Sequence, residues 1–321
     1  MKLTITLATA FLLATGSVAH PELVSREELQ RRADLSRRCV SKVAQFNENR
    51  YAMRRKAKRD LELERSGNAT FQVTTEAPYY DVIQNETCVL VPETTRGPYW
   101  RPNSQLLRQD ITEGQPGVPL WLDIGVIDME TCEPLNNALV SLWHCNATGS
   151  YSSFTDLDPN TPFHDLLNQM NVTNFTIGET DLHTDTTTFL RGIWPTDANG
   201  MLEMKTVFPG FYAERTIHIH TQVMTDWVLR NNGTVSSGKV VSTGQVYFDE
   251  EISARLMALE PYASHTEIER VTNDVDWIID EDPALGSNSI MSVVPADGEN
   301  PENGVIAYIT LGVDTSAVTE L

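Results

Sequence analysis

The sequence F-P-G-F-Y-A-E-R-T-I-H-I-H-T-Q at residues 208–222 decides how the rest of the chain is interpreted. Its Pro-Gly pair predicts a tight turn, and the alternation that follows predicts a β-strand. Residues two apart on a strand project from the same face, so His218 and His220 can converge on one metal ion. Tyr212 follows the turn, so its ring can fold back towards the same point. Imidazoles suit several first-row metals, whereas an anionic phenolate favours a high oxidation state such as Fe(III).

An H-x-H pair alone is a weak signal, because two satisfied histidines on a half-buried strand are the ordinary alternative. Two further blocks favour a metal site. They are L-W-H-C-N-A-T-G-S-Y-S-S-F at residues 142–154 and F-L-R-G-I-W-P-T-D-A-N-G at residues 189–200. In this order the three blocks resemble the intradiol ring-cleavage dioxygenases, non-haem ferric enzymes that open catechols between their two hydroxyls. The resemblance is densest over residues 88–248 and extends more weakly to about residue 314.

The resemblance implies that two tyrosines and two histidines bind one Fe(III) ion per chain. Tyr151 in G-S-Y-S and Tyr212 in P-G-F-Y match the family's tyrosines, and His218 and His220 match its histidines. By position, Tyr212 is the ligand expected to leave the metal and take a substrate proton, while Tyr151 stays bound. The implied substrates are a small aromatic diol and O2, and the implied product is a muconate-type diacid.

Two more residues acquire catalytic roles from the resemblance. Arg215 lies three residues before His218 and matches an arginine that stabilises the charge developing on the substrate ring. Its alternative role is a salt bridge with Glu214 at the rim. Gln245 in G-Q-V-Y-F matches a glutamine near the iron and is expected to orient substrate or ligand. An ordinary strand position is the alternative for Gln245.

The motif E-T-T-R-G-P-Y-W at residues 93–100 is expected at the mouth of the pocket. In the family this stretch commonly lies there, so Pro98, Tyr99 and Trp100 are candidate substrate-binding residues. Arg96 stands where the family usually has an acidic residue. Tyr99 and Trp100 are therefore expected to shape substrate choice. The sequence leaves the substrate open among catechol, hydroxyquinol, protocatechuate and other plant-derived aromatics.

Short alternating stretches separated by Gly, Pro and Asn predict an all-β fold, an antiparallel β-sandwich over residues 79–321. The predicted strands are residues 120–128, 138–145, 186–192, 201–207, 216–223, 239–248, 290–294 and 305–314. One helix is predicted at residues 250–259, and the polar residues 160–181 are expected to form a surface loop. Residues 66–78 read as a polar linker before this domain.

The start of the chain has the features of a secretory signal peptide at residues 1–19. Lys2 supplies a positive charge, and an apolar run at residues 3–16 follows that is too short to span a bilayer. The small residues S-V-A at 17–19 then form a cleavage site. We therefore expect a secreted, extracellular protein. Six N-x-S/T sequons agree with this location. They are Asn68, Asn85, Asn146, Asn171, Asn174 and Asn232.

Residues 20–65 form a basic arm that is predicted to be helical, with Ser25 as its N-cap. Leu29, Leu35 and Val40 give it a thin apolar stripe, which could pack on the body or on a second subunit. The arm does not resemble the helical dimerisation domain of the intracellular bacterial enzymes, so the oligomeric state stays open. Its dibasic pairs are potential sites for secretory processing proteases, and whether the arm is retained also stays open. These pairs are Arg31-Arg32, Arg37-Arg38, Arg54-Arg55 and Lys58-Arg59.

Four cysteines in an oxidising route predict two disulfides. Three pairings are compatible with the sequence. We favour Cys88–Cys132 together with Cys39–Cys145.

The formal net charge of −20 is concentrated in the body of the chain, because the arm is basic. An acidic body argues against nucleic acid as a partner. The histidines outside the H-x-H pair are expected to be structural or solvated. His144 matches no ligand of the family and is expected either to support a ligand or to be structural. His164, His183 and His265 are expected at polar, solvated positions.

Two other functions fit parts of the sequence. Cleavage after residue 19 would make His20 the N-terminus, and secreted copper monooxygenases use such a histidine as a ligand on a β-sandwich. His20 however begins a basic helix rather than a strand. The other candidate is a secreted binding module with a degenerate site, and the presence of all four ligand types counts against it.

Overall fold

The structure is a computed structural model, and it describes residues 26–64, 89–90, 96–101, 106–231, 235–236, 238–276, 278–279 and 289–316. The predicted signal peptide and linker lie outside the described residues. So do His20, Cys88 and the sequons at Asn68, Asn85 and Asn232. No helix in the described part of the chain combines the length and the apolar character needed to cross a bilayer.

The described residues form three α-helices, two short 3₁₀ helices and twelve strands. The α-helices are α1 (Arg26–Glu64), α2 (Phe163–Gln169) and α3 (Glu250–Met257), and the 3₁₀ helices are Tyr262–Ser264 and Pro301–Asn303. The strands are β1 (Val89–Leu90), β2 (Pro119–Asp128), β3 (Glu133–Pro134), β4 (Leu139–Trp143), β5 (Arg191–Pro195), β6 (Met201–Val207), β7 (His218–Thr225), β8 (Val228–Leu229), β9 (Val235–Ser236), β10 (Lys239–Tyr247), β11 (Ser292–Pro295) and β12 (Val305–Val313).

The first sheet is built around β2 and β12. These two strands run parallel, with residues 120–128 opposite residues 305–313. Strand β12 also pairs with β1 in parallel and with β11 antiparallel, while β2 pairs antiparallel with β3 and β6. The prediction of a purely antiparallel fold is therefore wrong for this sheet. Periodicity shows which residues share a face of a strand but not the direction of its neighbour.

The second sheet has the order β10-β7-β4-β5 and is antiparallel throughout. Its strand β7 carries the H-x-H pair. Strands β8 and β9 form a separate two-stranded hairpin. Buried side chains from both larger sheets join in one hydrophobic core, including Leu122 and Ile309 from the first and Leu142, Ile219 and Val246 from the second. The mostly-β class predicted from the alternation is confirmed.

Most predicted strands agree with the structure to within two residues, but two regions differ. The strand predicted at residues 186–192 is found at Arg191–Pro195, because residues 184–188 instead make local side-chain hydrogen bonds around Asp185. The predicted surface loop at residues 160–181 contains α2. Leu166 on this helix is buried, so the segment covers apolar surface rather than only facing solvent.

The basic arm is one long helix that packs on the first sheet. Its buried face includes Leu35, Cys39, Val43, Phe46 and Arg50, at the three- and four-residue spacing of one helical face. The four apolar residues form one hydrophobic cluster with Ile127 near the end of β2. The predicted stripe is therefore only partly correct, since Val40 is exposed. Gly125 permits the contact, because a Cβ atom there would lie 2.6 Å from Cε1 of Phe46.

Arg50 anchors the arm through a buried ion pair with Asp123 on β2. The Arg50 Nε atom donates to Asp123 Oδ1 over 2.9 Å, and Nη1 donates to the carbonyl of Ile309 and to Thr310 Oγ1. Both charged side chains are almost completely buried. Each charge therefore depends on the other for compensation.

We expect Arg50→Ala to lower the free energy of unfolding by about 3 kcal/mol, because it leaves the Asp123 carboxylate buried without its cation. The matched control is Lys42→Ala, which removes an exposed ion pair between the same helix and Glu133 and should have a much smaller effect. Urea unfolding of both variants measures the difference. Equal losses in the two variants would show that the buried pair does not anchor the arm.

The structure corrects the predicted disulfides. Cys39 is bonded to Cys132, with Cα atoms 5.2 Å apart, so neither predicted pair is formed. The reason is the docking of α1, which places Cys39 beside the turn after β2. Cys145 is instead a buried free thiol within the aromatic cluster around Tyr151. Among the described residues Cys39–Cys132 is the one disulfide.

Candidate active site

The second sheet presents one face to the core and the other to the candidate site. Ile217 and Ile219 contribute to the core, while His218 and His220 project to the opposite side. On the neighbouring strands, Gln245 lies opposite His220 and Tyr247 lies opposite His218. Trp143 on β4 is also opposite His220, and their rings stack at a centroid distance of 4.9 Å.

Two loops bring the tyrosines over this face. Gly149, in the loop that carries Tyr151, lies against the Phe211 carbonyl, where a Cβ atom would be only 2.3 Å from the oxygen. Gly210 lies equally close to the Ala147 carbonyl. Two glycines thus allow the two tyrosine-bearing loops to pack backbone against backbone.

The predicted ligand atoms converge. His218 Nε2 is 3.2 Å from His220 Nε2 and 3.2 Å from Tyr212 Oη. The Tyr151 ring lies 5.5 Å from the Tyr212 ring and 6.1 Å from the His220 ring, measured between centroids. All four residues are buried. Tyr212 folds back from its turn as the sequence predicts.

Hydrogen bonding fixes the proton of one imidazole. His218 Nδ1 lies 2.7 Å from the Thr216 carbonyl oxygen, which can only accept, so Nδ1 carries the proton and Nε2 keeps its lone pair. Burial, and then the charge of Arg215, hold the pKa of both His218 and His220 well below the usual value. Both imidazoles are therefore neutral, as a metal ligand must be.

The two phenols are protonated in the absence of a cation. Burial raises the pKa of Tyr212 to about 12, and Arg215 opposes the rise. Burial, and then Tyr212, raise the pKa of Tyr151 well above its usual value. The Tyr151 hydroxyl is buried and has no hydrogen-bond partner among the described residues. A bound cation inverts these preferences, because its charge favours the phenolate form.

These residues fit a metal ion. Nitrogen or oxygen donors bound at about 2.0–2.1 Å from a small cation lie roughly 3 Å apart. The distances from His218 Nε2 to His220 Nε2 and to Tyr212 Oη, both 3.2 Å, agree with this spacing. Within the described residues no group of three or more His, Cys, Asp or Glu is placed to bind a metal. The convergence consists instead of two imidazoles and two phenols. Tyr151, whose buried hydroxyl has no partner among the described residues, is the residue that would supply a fourth donor.

Arg215 is held inside the protein rather than at the rim. Its Nε donates to Asp276 Oδ2 over 2.9 Å, and its Nη2 donates to Gln245 Oε1 over 2.5 Å. Burial disfavours the charged guanidinium, but Tyr212, Tyr247 and Asp276 outweigh it, so the pKa of Arg215 lies above the usual value. The alternative of a salt bridge with Glu214 is not what the structure contains.

The Gly97–Trp100 turn forms another wall of the site. A Cβ atom at Gly97 would lie 2.8 Å from Cε1 of His220, so only glycine fits there without displacing the ring. Tyr99 stacks on Tyr151 at 4.5 Å and meets Tyr212 edge-on at 5.8 Å. Trp100 packs on the same aromatic cluster and lies under the Arg96 guanidinium at 4.6 Å.

The segment around α2 covers this wall. Phe163 meets Tyr99 edge-on at 5.9 Å and Phe175 at 5.0 Å. Pro98 and Trp100 are half-buried, whereas Tyr99 is buried. The three residues predicted to bind substrate are thus brought beside the predicted ligands.

Comparison with known proteins supports the same assignment. A family model described as Dioxygenase matches residues 95–234. The intradiol ring-cleavage dioxygenase of Tetranychus urticae has 26% sequence identity and a TM-score of 0.57, over 73% of this chain and 98% of that chain. The chain is a dioxygenase that resembles the intradiol ring-cleavage dioxygenases.

Two further solved structures are equally or less similar to this chain. A second dioxygenase crystal structure has the same identity and coverage, with a TM-score of 0.56. The dioxygenase domain of a carbohydrate-binding fusion protein from Streptomyces sp. SirexAA-E has 22% identity and a TM-score of 0.41, over 70% of this chain and 99% of that chain. No curated protein sequence matches the chain.

Two other histidines of this dioxygenase are buried, one as expected and one not. His144 is fully buried and bonded to the Cys145 carbonyl and to Thr206 Oγ1 between the two sheets, as its predicted structural role requires. Burial lowers the pKa of His144 to about 4. His265 was predicted to be solvated, and this is wrong. It is buried, stacks on Phe211 at 4.4 Å and contacts Asn160 Oδ1.

Sequence reasoning missed three residues that touch the predicted site residues of the dioxygenase. They are Trp143, which stacks on His220, Tyr247, which donates to Gln245 Oε1, and Asp276, which pairs with Arg215. Alternation on β4 and β10 could have placed Trp143 and Tyr247 on the site's face. The sequence around Asp276 contains no comparable signal, because its segment is irregular.

Proposed function

We propose that this chain is a secreted Fe(III) enzyme that cleaves catechol-type aromatics between the two hydroxyl-bearing carbons, giving muconate-type diacids. One observation carries the proposal. Tyr212 Oη and His220 Nε2 each lie 3.2 Å from His218 Nε2. These atoms belong to buried residues beside Tyr151, whose hydroxyl has no partner among the described residues. Two hard anionic phenolates favour a ferric ion over a softer or divalent one.

The metal would be held by Tyr151, Tyr212, His218 and His220, one ion per chain. A bound Fe(III) ion would chelate the deprotonated diol and withdraw electron density from its ring. The two sheets are inferred to form the β-sandwich that supports these ligands, and the core shared by both sheets supports that inference.

Tyr212 is the residue proposed to take a substrate proton, at its Oη atom. A diol must lose both protons to chelate a metal, so a base is needed beside the metal. Tyr212 lies on a turn rather than on the rigid strand β7, since its backbone carbonyl accepts from Arg215 N across a turn with Glu214 in the left-handed conformation. A ligand on a turn can move away from the metal more readily than the histidines can.

Arg215 and Gln245 are proposed to act on the substrate ring. The Arg215 guanidinium is a buried cation whose position is fixed by two hydrogen bonds. A fixed cation stabilises negative charge that develops on the ring without solvent reorganisation. Gln245 Oε1 is occupied by Arg215 and Tyr247, while its Nε2 is buried and has no partner among the described residues, so Nε2 is available to donate to a substrate oxygen.

Pro98, Tyr99 and Trp100 are proposed to bind the substrate ring. Tyr99 contacts both tyrosine ligands, so a ring held beside it is close to the metal position. The aromatic cover from Phe163 and Phe175 limits water access on this side.

Secretion and glycosylation are part of the proposal. A disulfide and the features of residues 1–19 support an oxidising route. Asn171 and Asn174 are exposed and are proposed as glycan carriers. Asn146 Oδ1 accepts from Thr148 N and Ser150 N in a turn. Asn146 Nδ2, the atom that would carry a glycan, donates to Gln115 Oε1, so a glycan would have to displace this contact.

We expect purified protein to contain about one iron per chain and to be wine-red from tyrosinate-to-iron charge transfer. The reason is the pair of phenols, Tyr151 and Tyr212, beside the H-x-H pair. Elemental analysis together with the visible spectrum measures both properties. Copper would favour the monooxygenase alternative, absence of metal would favour a binding module, and colourless iron protein would exclude two phenolate ligands.

The activity itself is tested with a panel of catechol, hydroxyquinol, protocatechuate and other plant-derived diols. Oxygen uptake and product mass are followed for each. We expect at least one diol to consume O2 and give a ring-opened diacid. Failure of the iron-loaded protein on every diol would contradict the proposed function.

A further inference from the structure

A buried carboxylate lies behind the arginine of the site. Asp276 belongs to an irregular segment after α3, and its side chain is fully buried. Its backbone N–H bonds to the carbonyl of Thr272, which closes a turn. The residue lies beyond residues 95–234, where the family model matches.

The two oxygens of Asp276 have different partners. Oδ2 accepts from Arg215 Nε over 2.9 Å and from Thr216 N over 2.8 Å. Oδ1 accepts from Ile278 N over 2.8 Å. One carboxylate therefore holds both the side chain of Arg215 and the backbone that follows it. It is itself fixed by the backbone of its own segment.

The contacts continue from this carboxylate into the site. Arg215 Nη2 donates to Gln245 Oε1, the same oxygen that accepts from Tyr247 Oη over 3.0 Å. Thr216, whose N–H bonds to Asp276, accepts from His218 Nδ1 through its carbonyl oxygen. Thr216 Oγ1 also bonds to Asn273 Oδ1 in the same segment as Asp276.

We propose that Asp276 is a positioning residue that fixes the Arg215 guanidinium against Gln245 in the orientation needed for ring cleavage. The inference rests on the function proposed above. The Arg215 side chain has several rotatable bonds, and the Nη2 contact with Gln245 alone would leave the guanidinium free to rotate about that contact. The bond from Nε to Asp276 removes that freedom and supplies the counter-charge that a buried cation needs.

Asp276→Asn is the isosteric change that removes the charge. We expect it to lower kcat by up to about 100-fold, because a catalytic group displaced by about 1 Å can lose that factor. The KM for the diol should change little, since Arg215 is assigned to charge that develops after binding. Iron content, visible absorption and anaerobic catechol affinity should stay close to wild type, because none of the four ligands is altered.

The control is Asp274→Asn, a change of the same charge two residues away. Asp274 is exposed and bonds to Thr272 Oγ1 rather than to Arg215. We expect this variant to have wild-type kcat. The decisive measurement is a double-mutant cycle in which Asp276→Asn is made both in the wild type and in Arg215→Ala. If Asp276 acts through Arg215, the second background should show almost no further loss of kcat.

The cycle has outcomes that overturn the inference. An equal loss of kcat from Asp276→Asn in both backgrounds, or loss of iron and colour, would mean that Asp276 supports the fold or the metal instead. Asp276→Glu keeps the charge and should recover part of the lost kcat; no recovery would also contradict the proposal. If Asp276→Asn does not fold, Asp276→Glu in both backgrounds carries the same test. An inactive wild type would overturn the proposed function and this inference together.

Discussion

Arg215→Ala is expected to reduce kcat for ring cleavage by about 100- to 1000-fold, the typical effect of removing one group that stabilises transition-state charge. Iron content and visible absorption should stay close to wild type. The guanidinium contacts Gln245 and Asp276 and is not one of the four proposed ligands. The expected effect is therefore on turnover and not on metal binding.

The control for this variant is Arg255→Ala. Arg255 is a half-exposed arginine on α3 that pairs with Glu302 on the surface. It should keep wild-type kcat, so the two variants together separate a specific cation from a general change in charge. Near wild-type turnover in Arg215→Ala would sink the assigned role.

His218→Ala and His220→Ala are expected to leave the protein largely empty of iron. Both imidazoles are held on one rigid strand, β7, with each Nε2 facing the other at 3.2 Å. Trp143, which stacks on His220, has only an indole N–H to donate and cannot supply a nitrogen lone pair in its place. Loss of an outer hydrogen-bond partner of a ligand typically costs 10- to 100-fold in metal affinity, so loss of the ligand itself should cost more.

Tyr212→Phe should behave differently from the histidine variants. If Tyr212 leaves the metal during turnover, the other three ligands must hold iron for part of each cycle. The variant should therefore keep some iron, with altered colour. It should bind catechol slowly, and more slowly at low pH, because the base at Oη is missing and spontaneous deprotonation of the diol is rarer.

Iron content beside the rate of catechol binding tests all three variants. His164→Ala is the control, because His164 is an exposed histidine on α2 and should affect neither quantity. The exchangeable role of Tyr212 would be wrong if Tyr212→Phe is as empty as the histidine variants. It would also be wrong if that variant binds catechol as fast as wild type.

Local sequence patterns predicted most of the second sheet and the convergence of Tyr212 with the H-x-H pair. Alternation placed His218 and His220 on one face, and the Pro-Gly turn returned Tyr212 to it. Period-two patterning decides the face of a strand, so these predictions needed no knowledge of the rest of the chain. Tyr151 depended on the family resemblance, since nothing local to its loop points to His218.

Features that depend on contacts distant in sequence were missed. The parallel pairing of β2 with β12 and the Cys39–Cys132 bond join segments that are far apart along the chain. Asp276 and Arg50 are charged residues whose burial is stabilised by partners from other segments. A single sequence shows such residues only as ordinary polar positions, because burial of a charge is set by its partner.

The most direct test of the central claim is turnover of the iron-loaded protein with its best diol under ¹⁸O₂, followed by mass spectrometry of the product. A dioxygenase that opens the ring between the hydroxyl-bearing carbons should give a diacid in which a single product molecule contains two labelled oxygen atoms, one in each new carboxyl group. Product with one labelled atom, product with an intact ring, or cleavage outside the two hydroxyls would contradict the account.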